Sequence, residues 1–309
     1  MKIFMSTPIL KIEHLSHQYS KNWAIKDINI EINQNGVYGL LGSNGAGKST
    51  TMNILCGVLK PTQGNVYVKG FDISKQPIAA KRHIGFLPQI PPLHLDLNVS
   101  EYLRYCAKLH YITGKDADRA VEDVLDKCKI SHFAKRVLRN LSGGYQQRVG
   151  IAQAIVHKPE IVVFDEPTNG LDPNQIKEIR NLIKEIAIDS TVILSTHILP
   201  EVQATCDYIR MIEKGCVVFE GSMSEFDNYV QKKTLVVRFD VPPALEDLVN
   251  LDGVVRVELL ESDKYRVQFT DRRLALDQIL RRSFDGGWQI SEIQEEKASL
   301  EEIFALLSK

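Results

Sequence analysis

Residues 42–49 read Gly42-Ser-Asn-Gly-Ala-Gly-Lys-Ser49 and fit the pattern G-x-x-x-x-G-K-[ST]. They follow a short apolar run, 36–41, and precede a stretch with helical pattern. Glycines between a buried strand and a helix let backbone N–H groups curl around a phosphate chain, and the helix aims its positive end at the same point. The chain is thereby committed to a strand, loop and helix, and so to an α/β fold with a largely parallel sheet. On this pattern Lys48 reaches the terminal phosphates and the Ser49 hydroxyl binds Mg²⁺. Gly42, Ser43, Asn44, Gly45, Ala46, Gly47, Lys48, Ser49 and Thr50 are the candidate nucleotide-binding residues.

Further apolar runs at 161–164 and 191–194 read as buried strands. The first ends in Asp165, a candidate metal holder, and Glu166 follows, placed to orient or deprotonate an attacking water. Residues 10–19 and 25–32 alternate apolar and polar positions like half-buried antiparallel strands. Asn98-Val-Ser-Glu101 has the form of a capping box opening a helix through about 110, and helical pattern returns over 116–129. The expected first domain is therefore 1–222, with a helical subdomain at about 90–160. A polar, broken stretch, 223–233, reads as a linker, and 234–309 as an accessory domain. There, segments near 235–240, 244–250, 254–260, 265–269, 273–282, 288–293 and 300–307 give the order β-α-β-β-α-β, then a final helix, as in a small ferredoxin-like domain.

Leu141-Ser-Gly-Gly-Tyr-Gln-Gln-Arg148 is a second site of the same chemistry. Ser-Gly-Gly at a helix start exposes backbone donors at its positive end. One phosphate chain does not need two such sites from one subunit; if the second serves a nucleotide held by another copy, the protein must dimerise around ATP.

Composition narrows the function classes. The 309 residues carry a formal net charge of −1, which argues against a nucleic-acid binder with a strongly basic face. No apolar run approaches the ~20 residues of a membrane-spanning helix, and the N-terminal apolar stretch is too short for a secretory signal. The five cysteines, Cys56, Cys106, Cys128, Cys206 and Cys216, are far apart and form no Cys-x-x-Cys pair. They read as small buried hydrophobes in a reducing compartment.

With these stretches in order, about 8–222 resembles the ATP-binding subunit of ATP-binding-cassette (ABC) transporters. The signature is similar to Leu141-Ser-Gly-Gly144, the glutamine loop to Phe86-Leu-Pro-Gln89 and the D-loop to Gly170-Leu-Asp172. The resemblance makes Glu166 the catalytic glutamate, His197 the switch histidine and Tyr19 the adenine-stacking aromatic. It implies that Gln89 senses Mg²⁺ and the γ-phosphate, with Ser49 and Asp165 completing the metal set. It also implies that Ser142, Gly143 and Gly144 grip the opposite subunit's ATP and that Asp172 links the two sites. Taken alone, with no local motif to fix its role, Tyr19 reads more readily as a packed strand aromatic.

Two positions depart from the family pattern. Ser43 stands where proline is frequent, and Tyr145 where glutamine is commonest, which puts that side chain's contact with the opposite nucleotide in question. The ending Ser299-Leu-Glu-Glu-Ile-Phe304 is similar to the tail of ATPases of the drug, polysaccharide and gliding-motility export branch. The expectation is a P-loop ATPase that energises export, as a homodimer, through an integral membrane subunit on a separate chain. It would use ATP and Mg²⁺ and lie on the cytoplasmic face of the inner membrane, without nucleic acid. A soluble ABC-type ATPase of DNA repair or translation is the alternative. A metabolic kinase would not need Leu141-Ser-Gly-Gly144.

Overall fold

The computed structural model describes residues 7–230, 233–296 and 302–303, and the chain divides at Met223/Ser224 into two compact units. In the first, β1 (Leu10–Tyr19), β2 (Asn22–Ile32), β4 (Gln63–Val68) and β5 (Phe71–Asp72) form an antiparallel sheet in the order β2-β1-β4-β5. The second sheet runs β10-β9-β3-β8-β7-β6. Its strands are β3 (Gly36–Leu41), β6 (Ile84–Leu87), β7 (Ile161–Asp165), β8 (Thr191–Thr196), β9 (Tyr208–Glu213) and β10 (Cys216–Ser222). All are parallel except the edge strand β10.

Helix α1 (Lys48–Leu55) contributes Met52, Ile54 and Leu55 to a buried cluster with Leu10, Ile12 and Ile28 of the antiparallel sheet and Val163 and Ile193 of the parallel one. Burial on both faces is why β7 and β8 read as continuous apolar runs, whereas β2 alternates. At the start of α1, Gly47 has φ +108°, and a Cβ there would lie 2.5 Å from Ile25 Cγ2 and 2.7 Å from the Ala24 carbonyl. Strand β2 therefore presses directly on the glycine loop and excludes a side chain at that position.

Between β4 and β7 lie α2 (Pro77–Lys81), α3 (Val99–Leu109), α4 (Gly114–Lys127) and α5 (Gly143–Ile155). The expected capping box is present: Glu101 N–H donates to Asn98 Oδ1 and Asn98 N–H to Glu101 Oε2, each at 2.9 Å. Helices α6 (Pro173–Ala187) and α7 (Leu199–Thr205) follow β7 and β8. Asp172 caps α6, accepting from Asn174 and Gln175 N–H at 3.0 Å.

The second unit comprises α8 (Met223–Val230) beyond its first residue, then β11 (Thr234–Val241), α9 (Leu245–Val249), β12 (Val254–Glu261), β13 (Lys264–Phe269), α10 (Arg272–Gly286) and β14 (Gln289–Glu295). The antiparallel order β12-β13-β11-β14 is the ferredoxin-like arrangement expected. Its core joins Val237, Phe239, Tyr265 and Val267 to Leu248 of α9 and to Ala275 and Ile279 of α10.

Two sequence expectations are corrected. The stretch read as a linker, 223–233, is helical over Met223–Val230, because Phe226 is fully buried and anchors a turn whose other residues are largely polar. Among the cysteines four are buried but Cys216 is exposed, since it opens the edge strand β10. The final helix expected at 300–307 and the tail 299–304 lie outside the described residues except for 302–303.

Candidate active site

Parallel pairing places the ends of β3, β7 and β8 side by side. Leu41 is in register with Thr196, and Asp165 with Ser195. The glycine loop, the acid pair and His197 therefore leave the same edge of the sheet, where ligands of open α/β folds bind.

The Ser49 hydroxyl donates to Asp165 Oδ1 at 3.3 Å, and the Ser195 hydroxyl donates to the same oxygen. Beyond Asp165 the backbone turns sharply: Glu166 has φ +53°, and its N–H donates to the Ser195 carbonyl and hydroxyl at 3.2 Å. A left-handed conformation at a non-glycine residue costs energy and persists only where neighbours enforce it. Here it turns the carboxylate back over the loop. Glu166 Oε1 lies 4.0 Å from Lys48 Nζ, and His197 Nδ1 lies 2.9 and 3.0 Å from the two Glu166 oxygens.

Lys48 donates to the carbonyls of Gly42 at 2.9 Å and Ser43 at 3.1 Å. An ammonium has three donors, so one remains for an incoming anion. Burial lowers the Lys48 pKa, and the charges of Glu166 and Asp165 oppose that shift. Around it Ser43, Asn44, Gly45 and Ser49 are exposed, and nothing lies within 4 Å of a Cβ built on Gly45. A buried ammonium with a spare donor, an open glycine turn and the N-terminus of α1 suit a polyphosphate. Paired oxygens from Ser49 and Asp165 suit Mg²⁺, a hard cation that takes oxygen ligands.

Other expected site residues are not drawn into this cluster. Gln89 is exposed just beyond β6, and no hydrogen bond joins it to Ser49 or Asp165. Tyr19 is 50% exposed, with its ring edge-on to His17 at 4.6 Å. Ser142 and Gly143 are exposed at the start of α5, while Gly144 is buried beneath the Gln175 carboxamide, 2.6 Å from where its Cβ would stand. Among the described residues no hydrogen bond or ion pair links Ser142, Gly143 or Gly144 to the loop 42–49. Asp172 is spent on capping α6. Tyr145 packs edge-on against Phe133 at 4.5 Å, beside His132.

Several supporting residues escaped the sequence reading. Ser195 holds Asp165 and Glu166. Buried Glu201 of α7 accepts from Thr168 at 2.6 Å and Thr196 at 3.2 Å, tying the loops after β7 and β8 together. Gln147 donates to the Pro167 carbonyl at 2.8 Å, and Ser43 to Glu213 at 2.9 Å. Ser195 left a signal: a polar residue at the end of an otherwise apolar buried strand, two positions before His197.

A family model described as "ABC transporter" matches residues 25–169, and the model of the DrrA1-3-like ATP-binding protein C-terminal domain matches 221–306. Bacitracin transport ATP-binding protein BcrA of Bacillus licheniformis is 35% identical over 268 residues, covering 82% of this chain and 85% of that protein. The chain belongs to the ABC transporter family. It is an ATP-binding, ATP-hydrolysing subunit of that family. The protein of the same name from Enterococcus faecalis is 30% identical to this ATPase over 97% of this chain and 96% of its own. Linearmycin resistance ATP-binding protein LnrL of Bacillus subtilis is 32% identical over 74% of each. Among solved structures, cbiO1 of Clostridium perfringens, part of the transporter complex cbiONQ, superposes with a TM-score of 0.66 at 31% identity, over 72% of this ATPase and 91% of that chain. The cassette MJ0796, solved as a dimer in a post-hydrolysis state with ADP and Pi, gives 0.63 at 27% identity, over 69% and 98%. No helix among the described residues is long and apolar enough to cross a membrane.

Proposed function

We propose that two copies of this ATPase close around ATP and energise export through a separate membrane subunit. The observation that carries this reading is a division of labour within the first unit. Lys48, Ser49, Asp165, Glu166 and His197 form one connected cluster, while Ser142 and Gly143 stand exposed elsewhere with no bond to it. A second copy supplies the missing anion-binding helix start if its α5 faces this cluster.

In that assembly Lys48 directs its spare donor to the terminal phosphates, and the backbone N–H groups of 42–49 enclose the chain of phosphates. Ser49 and Asp165 would hold Mg²⁺, joined by Gln89 once its loop closes; the ion neutralises charge on the phosphates. Glu166 accepts a proton from the attacking water and His197 holds the Glu166 carboxylate in place, as their 2.9 Å contact allows. Tyr19 offers its exposed ring to the adenine. Ser142, Gly143 and Gly144 bind the other copy's nucleotide through hydroxyl and backbone, and Asp172 fixes α6 beside them. Tyr145, engaged with Phe133, leaves that contact to its neighbours.

The membrane subunit docks beside Gln89, where Ile90 is 83% and Leu95 47% exposed on a proline-stiffened segment. The ATPase then lies on the cytoplasmic face of the inner membrane, held by its partner. The names of the relatives speak of bacitracin transport and linearmycin resistance, and they favour export over import. The test is Glu166→Gln at dilute concentration: ATP converts it from monomer to dimer in sedimentation, and bulky residues at Ser142 and Gly144 abolish the shift. An unchanged monomer with bound ATP refutes the shared site.

A further inference from the structure

The sheet of the second unit ends at β12, whose one strand partner among the described residues is β13. An open edge is a template for another strand, and chains commonly blunt it with charge, bulges or short length. β12 reads Val254-Val-Arg-Val-Glu-Leu-Leu-Glu261. Arg256 and Glu258 flank Val257 with opposite charges. Val255 and Leu259 flank these in turn, 55% and 52% exposed.

That pattern is self-complementary. Antiparallel copies related by a twofold axis perpendicular to the sheet keep their faces, so paired positions share parity and the axis falls on a residue. With the axis on Val257, Arg256 lies opposite Glu258 of the partner subunit, twice, and both residues fall within the regular ladder Arg256–Leu259. With the axis on Glu258, Arg256 faces an apolar leucine instead. With the axis on Arg256, Glu258 faces an apolar valine. Of these the first register alone matches both charges, a cross-strand combination that stabilises sheets.

The local ion pairs agree. Glu258 accepts from Arg266 at 3.0 Å, whereas Arg256 has no ion-pair partner among the described residues. Pairing of two copies gives Arg256 its counter-charge. Register shifts between Val254 and Arg256 and between Leu259 and Glu261 confine the regular ladder to the middle of β12, so the association is weak and concentration-dependent.

We propose that β12 is a homodimerisation edge, at which two copies of this chain pair antiparallel about Val257 and join their second units into one continuous sheet. The test uses the full chain without nucleotide, in sedimentation over a concentration series reaching millimolar. The wild type dimerises at the upper end. Arg256→Glu, which opposes acid to acid twice, stays monomeric, as does Glu258→Arg. An equimolar mixture of the two dimerises again, because each variant then meets the opposite charge at both positions. Arg273→Glu, the same charge change on an exposed face of α10, dimerises like the wild type. A wild type that stays monomeric throughout, or an Arg256→Glu chain that dimerises as the wild type does, overturns the proposal. If Glu258→Arg fails to fold, Arg256→Glu alone decides. Arg256→Glu leaves the ATP-driven dimer of Glu166→Gln intact, and bulky residues at Ser142 and Gly144 leave the nucleotide-free dimer intact, so the two interfaces succeed or fail separately.

Discussion

Lys48 and Glu166 face each other across 4.0 Å, and each has a distinct consequence when changed. Lys48→Ala removes a buried donor that the proposed mechanism directs at the transferred phosphate, and ATP turnover is expected to fall about a hundred- to a thousandfold, measured by phosphate release. Glu166→Gln keeps the shape of the residue that turns at φ +53° but loses the proposed base. Its turnover is expected to fall about a hundred- to ten-thousandfold with nucleotide affinity nearly unchanged. A Glu166→Gln enzyme hydrolysing at the wild-type rate removes that role. His157 gives a prediction of another kind. Its Nε2–H donates to the Ile84 carbonyl at 3.0 Å, its Nδ1 is buried without a partner, and its ring stacks on His110 at 3.5 Å. Burial, reinforced by the His110 charge, lowers its pKa from 6.5 to about 4. The unfolded chain therefore takes this proton first, so the contribution is intact above pH 6.5 and is lost as pH falls towards about 4. His157→Gln keeps a donor for Ile84 and is expected to flatten that part of the melting temperature against pH.

At the scale of elements, β6 and α5 approach closely enough to exclude a methyl group. A Cβ on Gly85 would lie 1.9 Å from the Ala154 carbonyl oxygen. Gly85→Ala is expected to destabilise the first unit by about 1–3 kcal/mol or more, read from denaturant unfolding. The proposed docking segment makes the opposite case. Leu95→Glu places a charge on a side chain that is already 47% exposed, so folding and ATP binding persist while copurification with the membrane subunit weakens. Full assembly and transport with that variant would move the docking site elsewhere. These elements were unequally legible in the sequence. The glycine loop was plain because cradling phosphate forces its residues to be contiguous, and the Asn98 cap because its partner is three residues away. Glu201 was not, because Thr168, thirty-three residues before it, meets it only after β7 and β8 pair. Gln175 was hidden likewise, since nothing near it in the chain announces that it covers Gly144. The helix α8 was missed because one buried Phe226 among polar neighbours sets no period.

For the whole molecule, the division at Met223/Ser224 leaves Lys48, Ser49, Asp165, Glu166 and His197 in the first unit. A chain ending after Ser222 is expected to bind ATP with the affinity of the full protein, measured by calorimetry. Loss of binding by a folded truncation would draw the second unit into the site. The order of strands carries one more consequence, for synthesis rather than for the finished enzyme. β3 sits between β8 and β9, so the strand leading into the glycine loop has neither neighbour until residues 191–213 have been made. The loop is translated early, yet Asp165, which Ser49 bonds, arrives more than a hundred residues later. A ribosome thus holds an incomplete cassette with an unpaired apolar strand for much of its transit, the kind of exposed surface that invites misassembly. Nucleotide added to chains stalled before about 200 has nothing formed to bind, and capture of ATP becomes a timestamp for completion of the parallel sheet.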